Sequence, residues 1–68
     1  MPVKIRKLKA ELSKAGFIVR PGKGSHTVWT YALDPSIEVT LAGNDGKDAK
    51  PYQMKEVRDA LKQAKETR

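Results

Sequence analysis

The chain has 68 residues, a net charge of +6, a pI near 9.8 and no cysteine. That is room for a single domain, residues 1–68, with no disulfide or thiolate metal site to brace it. One histidine excludes a His-rich zinc site, no stretch approaches the roughly 18 apolar residues that span a bilayer, and the basic N-terminus lacks the apolar core of a secretory signal, so no membrane partner and a cytoplasmic location are expected.

A domain this small buries only about 60% of the surface its unfolded chain exposes, so the core must be efficient. Ile5, Leu8, Leu12 and Ala15 recur at spacings of three, four and three, which predicts a helix over residues 4–15. Gly16 suits the left-handed position that ends it. Met1 and Pro2 offer no side-chain cap at its start. Phe17-Ile18-Val19-Arg20 reads as a short strand broken by Pro21-Gly22. Residues 25–33 are rich in β-formers, Asp34-Pro35-Ser36 reads as a turn, and Ile37, Val39 and Leu41 alternate with polar residues as a half-buried strand. A glycine-containing loop, residues 42–50, leads to Pro51, suited to the first turn of a helix, and to Gln53, placed as a reciprocal cap. Met54, Val57, Leu61 and Ala64 then repeat the helical spacing. The expected fold class is α+β. The order is α-β-β-β-α, a three-stranded antiparallel sheet with both single-striped helices on one face.

Alternation along the second strand puts His26, Val28, Thr30 and Ala32 on one face and Thr27, Trp29, Tyr31 and Leu33 on the other. The pattern does not name the inner face. Bulk favours the aromatic set inside. A thin core under two helices favours the smaller set, and the expectation leans to that arrangement, with Trp29 and Tyr31 outward. Two exposed aromatics at i and i+2 beside basic residues would form a stacking platform for unpaired bases, which makes Trp29 a candidate RNA contact.

Positive charge is concentrated in residues 1–34, at +5 against +1 for residues 35–68, and a polyanion is the expected partner. The stretch GKGSH, residues 22–26, lies where a glycine-rich turn enters a strand. It is not a phosphate loop, because that pattern needs Gly-Lys-Ser/Thr leading into a helix. Gly22 and Gly24 allow unusual backbone conformations and close approach of an anion. Lys23 supplies charge, turn N–H groups can line an anion-binding concavity, and Ser25 adds a hydroxyl. His26 carries the side chain best suited to proton exchange near neutrality. Placed beside a phosphodiester, it can take the proton of a ribose 2′-OH or protonate the leaving 5′-oxygen. A Ser25–His26 nucleophilic dyad is disfavoured because adjacent strand residues point apart.

The run LSKAGFIVRPGKGSHTVWTY resembles the HicA toxins of bacterial toxin–antitoxin systems, which share a helix ending in Ala-Gly-Phe, a strand, and Gly-Ser-His opening the next strand. The stretch GNDGKDAKPYQMKEV is similar to one branch of that family, in which an Asp-Ala-Lys-x-Tyr-Gln segment opens the last helix. The resemblance implies a fold like a double-stranded-RNA-binding domain. It implies an endoribonuclease acting on mRNA with His26 catalytic, no metal or small cofactor, and a cognate HicB-like antitoxin that masks the histidine. Lys23, Gly24, Ser25, Arg20 and Lys50 are the candidate RNA contacts with Trp29. Many members carry a second histidine after the third strand, and this chain has none there. The competing functions are a non-catalytic RNA-binding module of the same fold, suggested by KDAK before the last helix, and a module whose basic face docks an acidic protein.

Overall fold

The apolar spacing of residues 4–15 does form a helix: α1 spans Ile5–Ala15 and buries Ile5, Leu8 and Leu12. The computed structural model describes residues 3–67, so Met1, Pro2 and Arg68 lie outside it. Gly16 ends α1 at φ +103°, and its N–H donates to the Ser13 carbonyl at 3.2 Å. An L side chain rarely adopts that backbone conformation. At the other end, Lys4 occupies the capping position but makes no side-chain cap bond. The loop before the last helix does the capping. Ile5 N–H donates to the Lys47 carbonyl at 2.9 Å and Arg6 N–H to the Asp45 carbonyl at 3.2 Å. Helix-opening amides have no partner within their own helix, and here backbone oxygens from far along the chain accept from them. Ion pairs of Lys4 with Asp48 and Lys9 with Asp45, both at 2.6 Å, flank that junction.

Three strands follow: β1 (Phe17–Pro21), β2 (Thr27–Tyr31) and β3 (Asp34–Leu41). They form one antiparallel sheet in chain order, β2 in the middle. β2 is shorter than the run of β-formers suggests, because Ser25 and His26 belong to the loop and Ala32–Leu33 to the next turn. The β2–β3 register runs from Thr27↔Leu41 to Thr30↔Glu38 and then jumps to Tyr31↔Asp34. Three residues of β3, Pro35, Ser36 and Ile37, thus face a single step of β2. Pro35 has no N–H to give a ladder, so it is tolerated at such an irregularity. The turn expected at Asp34-Pro35-Ser36 survives inside the strand. The Asp34 Oδ1 accepts from Ser36 Oγ at 2.6 Å and Ser36 N–H at 3.1 Å, and these two bonds hold its carboxyl below the usual carboxylate range.

The last helix, α2, spans Pro51–Thr67. Pro51 takes the first position, and the Gln53 side chain reaches back to accept from the Lys50 N–H at 2.8 Å, the reciprocal half of a capping box. The stripe of α2 is rotated slightly from the expected one: Gln53, Val57, Ala60 and Ala64 are buried, while Met54 and Leu61 are half-buried. α2 lies over β3, α1 over β1, and the two helices touch. Both therefore cover one face of the sheet, as expected.

The expectation about β2 is corrected on the inner face. Trp29 is 5% and Tyr31 2% exposed, in one cluster with Phe17, Ile37, Val39 and Leu41 of the sheet. Ala60 and Ala64 of α2 belong to the same cluster and take up little of it, which is consistent with large rings from the sheet filling the core. Phe17 and Tyr31 tilt against each other with centroids 5.2 Å apart. The Trp29 indole N–H is satisfied by Thr27 Oγ1 at 2.9 Å. The opposite face of the sheet carries Ile18, Arg20, Glu38 and Thr40, all exposed.

Candidate functional site

Five residues, Gly22 to His26, join β1 to β2. Their backbone is tied at both ends: Gly22 N–H donates to the His26 carbonyl at 2.9 Å, and His26 N–H to the Lys23 carbonyl at 3.0 Å. The second bond closes a turn with Gly24 at its first central position. Gly24 has φ +60° and Ser25 a negative φ, the combination of a type II′ turn, which favours glycine there. At Gly22 it is space, not backbone angle, that is short. A Cβ on it would lie 3.1 Å from the His26 carbonyl oxygen and 3.2 Å from the His26 Cβ.

His26 is exposed, and its Nδ1 lies 2.9 Å from the Lys23 carbonyl oxygen. A carbonyl only accepts, so Nδ1 carries the proton. The neutral ring therefore has its lone pair on Nε2, which has no hydrogen-bond partner among the described residues. An oriented imidazole with its basic nitrogen toward solvent can accept a proton from a ligand and return it.

The loop is anchored sideways. Ser25 Oγ accepts from the Gly43 N–H at 3.3 Å, across to the chain leaving β3. Gly43 has φ +112°, and a Cβ on it would come within 3.7 Å of Ile5. Behind it, Gln53 is 4% exposed and bonded at both ends: its Nε2 donates to the Ala42 carbonyl at 2.9 Å while its Oε1 accepts from Lys50. A hollow of about 270 Å³ opens between these segments, lined by Ser25, Gly43, Lys47, Lys50, Tyr52 and Gln53 among others. Asp48, which also lines it, is engaged by Lys4, and Asp45, next in the chain to the lining residue Asn44, by Lys9. Lys23, Lys47 and Lys50 have no ion-pair partner among the described residues: none of the four salt bridges involves them.

Lys23, Gly24, Ser25 and His26 thus sit in one loop, and Lys50 faces Ser25 across the hollow. Two candidates are not brought to this place. Arg20 points from the open face of the sheet and pairs with Glu38 at 3.5 Å. Trp29 is in the core, so its expected role as a stacking surface is corrected: both faces of a ring that is 5% exposed are occupied by the protein. Sequence reasoning passed over Lys47, and met Tyr52 only within the Asp-Ala-Lys-x-Tyr-Gln segment, without making it a contact. Tyr52 falls off the apolar stripe of α2 and is 55% exposed. An aromatic outside the helical period was the available signal.

The fold and the site define a small basic α+β protein that presents its one imidazole from a glycine-tied turn. The family model for the HicA toxin of bacterial toxin–antitoxin systems matches residues 5–65, and the chain belongs to that family. It is thereby a toxin component, for which a cognate antitoxin is the implied partner. No curated protein and no solved structure matches the chain. Among the described residues, no helix is long and apolar enough to cross a membrane, and no three His, Cys, Asp or Glu side chains are grouped as metal ligands.

Proposed function

We propose that the protein is a metal-independent endoribonuclease that cleaves mRNA, with His26 as the group that moves protons, and that a HicB-like antitoxin restrains it by covering this loop. The observation that carries the reading is the Nδ1 contact with the Lys23 carbonyl at 2.9 Å, which leaves Nε2 as an exposed base. With a phosphodiester against the loop, Nε2 takes the proton of the ribose 2′-OH as that oxygen bonds to phosphorus. The bond from phosphorus to the 5′-oxygen breaks, and the proton passes from the imidazolium to the departing oxygen. The products end in a 2′,3′-cyclic phosphate and a 5′-hydroxyl. The Lys23 carbonyl keeps its hydrogen bond to Nδ1 throughout and holds the ring in place. Lys23 and Lys50 offset the charge of the crowded phosphorane, with the turn amides near Gly24 and the Ser25 hydroxyl as further contacts.

Proton transfer by a placed imidazole contributes about 10²–10⁴-fold. His26→Ala should lower RNA cleavage by that factor and end growth arrest on induction, while circular dichroism and thermal unfolding stay as in wild type. A folded His26→Ala protein that remains fully toxic sinks the reading. RNA that is shifted on a gel but never shortened by wild-type protein would leave the binding module in its place.

A further inference from the structure

Three of the four aromatic side chains serve the core: Phe17, Trp29 and Tyr31 are each 5% exposed or less. Tyr52 does not. It stands 55% exposed in the first turn of α2, in the wall of the hollow that Ser25 shares. A ring this exposed lies outside the buried core, and this one shares the hollow with Lys47 and Lys50, both without acidic partners among the described residues. The Lys4–Asp48 and Lys9–Asp45 pairs take up the nearby negative charge, so the hollow presents a net cationic rim. The floor is fixed by Gln53, whose two hydrogen bonds tie the Lys50 backbone to the end of β3.

We propose that this hollow is a nucleobase subsite. One unpaired base of a single-stranded RNA stacks on the Tyr52 ring, and Lys47 and Lys50 hold its flanking phosphates. The proposal rests on the RNA-cleaving reading of the same region and adds which nucleotide is gripped: the one lying on the Ser25 side of the His26 loop. At about 270 Å³ the hollow is smaller than the roughly 300–1,000 Å³ of pockets for drug-sized ligands, which suits a single base. Stacking is indifferent to base identity in kind, because every base has a π-face. The subsite therefore sets register along the strand more than sequence.

The test is fluorescence anisotropy with a short 5′-fluorescein oligouridylate carrying 2′-O-methyl riboses, which cannot be cut through the 2′-oxygen. Tyr52→Ala should weaken binding on the order of 5- to 150-fold, the loss that one stacked base brings, and Tyr52→Phe should bind as wild type does. In a series with one abasic nucleotide moved along the strand, a single position should erase the difference between wild type and Tyr52→Ala. Tyr52 is half-exposed, so both variants keep the fold. Equal binding by wild type and Tyr52→Ala overturns the proposal. So does an equal loss in Tyr52→Phe, or a Tyr52→Ala defect seen only in antitoxin binding. The unmodified oligonucleotide separates the two readings. Tyr52-dependent binding without cleavage leaves the subsite and removes the nuclease. Cleavage that is undiminished in Tyr52→Ala removes the subsite and leaves the nuclease.

Discussion

Gly22 lies against His26 so closely that its missing Cβ leaves the room the histidine backbone occupies: a Cβ there would sit 3.1 Å from the His26 carbonyl oxygen. The two residues are also bonded through the Gly22 N–H at 2.9 Å. Gly22→Ala should push the His26 carbonyl away and turn the imidazole with it. Catalytic groups tolerate little displacement, and a misplacement near 1 Å is worth about 10²-fold. The contact asks its neighbour to give by a few tenths of an ångström, so the expected outcome is RNA cleavage reduced several-fold in kcat/KM, with a melting temperature close to wild type because the loop is exposed. Gly22→Ala cleaving as fast as wild type would show that the loop's placement of His26 does not matter.

Gln53 supports the same region from below. Removing its amide leaves the Lys50 N–H and the Ala42 carbonyl without partners, and each such loss costs about 1–3 kcal/mol when buried. For a domain this small, 1 kcal/mol moves the midpoint by roughly 4–8 °C. Gln53→Ala should therefore melt at least about 5 °C lower, by calorimetry. Gln53→Glu keeps an acceptor for Lys50 but cannot donate to Ala42 at neutral pH, so it should fall between the two. A Gln53→Ala protein as stable as wild type would mean that water replaces both bonds.

Trp29 tests the inner face. Truncation of a buried Trp costs about 3–5 kcal/mol, comparable with the whole stability of a domain of this length. Trp29→Ala should be largely unfolded by circular dichroism. Trp29→Phe should fold, lose some stability, and bind RNA as wild type does. Weakened RNA binding by a folded Trp29→Phe protein, at unchanged stability, would return that ring to the surface.

Periodicity made the two helices and the element order legible, and Gly16, Pro51 and Gln53 marked helix ends by local chemistry. The start of α1 was not legible, because the carbonyls that accept from its amides belong to Asp45 and Lys47. His26 lies outside the strand it was counted in. Alternation put Val28 and Thr30 opposite Trp29 and Tyr31, but did not say which set is inside. That choice involves α2, with its small Ala60 and Ala64, which no pattern within β2 contains. At the site, the loop residues Lys23 to His26 could be named from their glycines. The tautomer of His26 could not, since it is set by a backbone oxygen. Trp29 was expected outward and lies inward, because the covered face is chosen by the helices packed on the sheet and not by the alternation within β2.

The contact between the first and last thirds of the chain also bears on how the molecule assembles. The side-chain bonds at the α1 start span 44 and 36 residues. Loops of that length close late in folding, after local structure has formed. During synthesis the opening turn of α1 remains hydrated until Asp45 to Asp48 have emerged and docked. The same event seats Gly43 beside Ser25, so the histidine loop acquires this anchor only once the chain extends past β3, and a fragment ending at β3 carries the imidazole without the Gly43 bond that ties its loop.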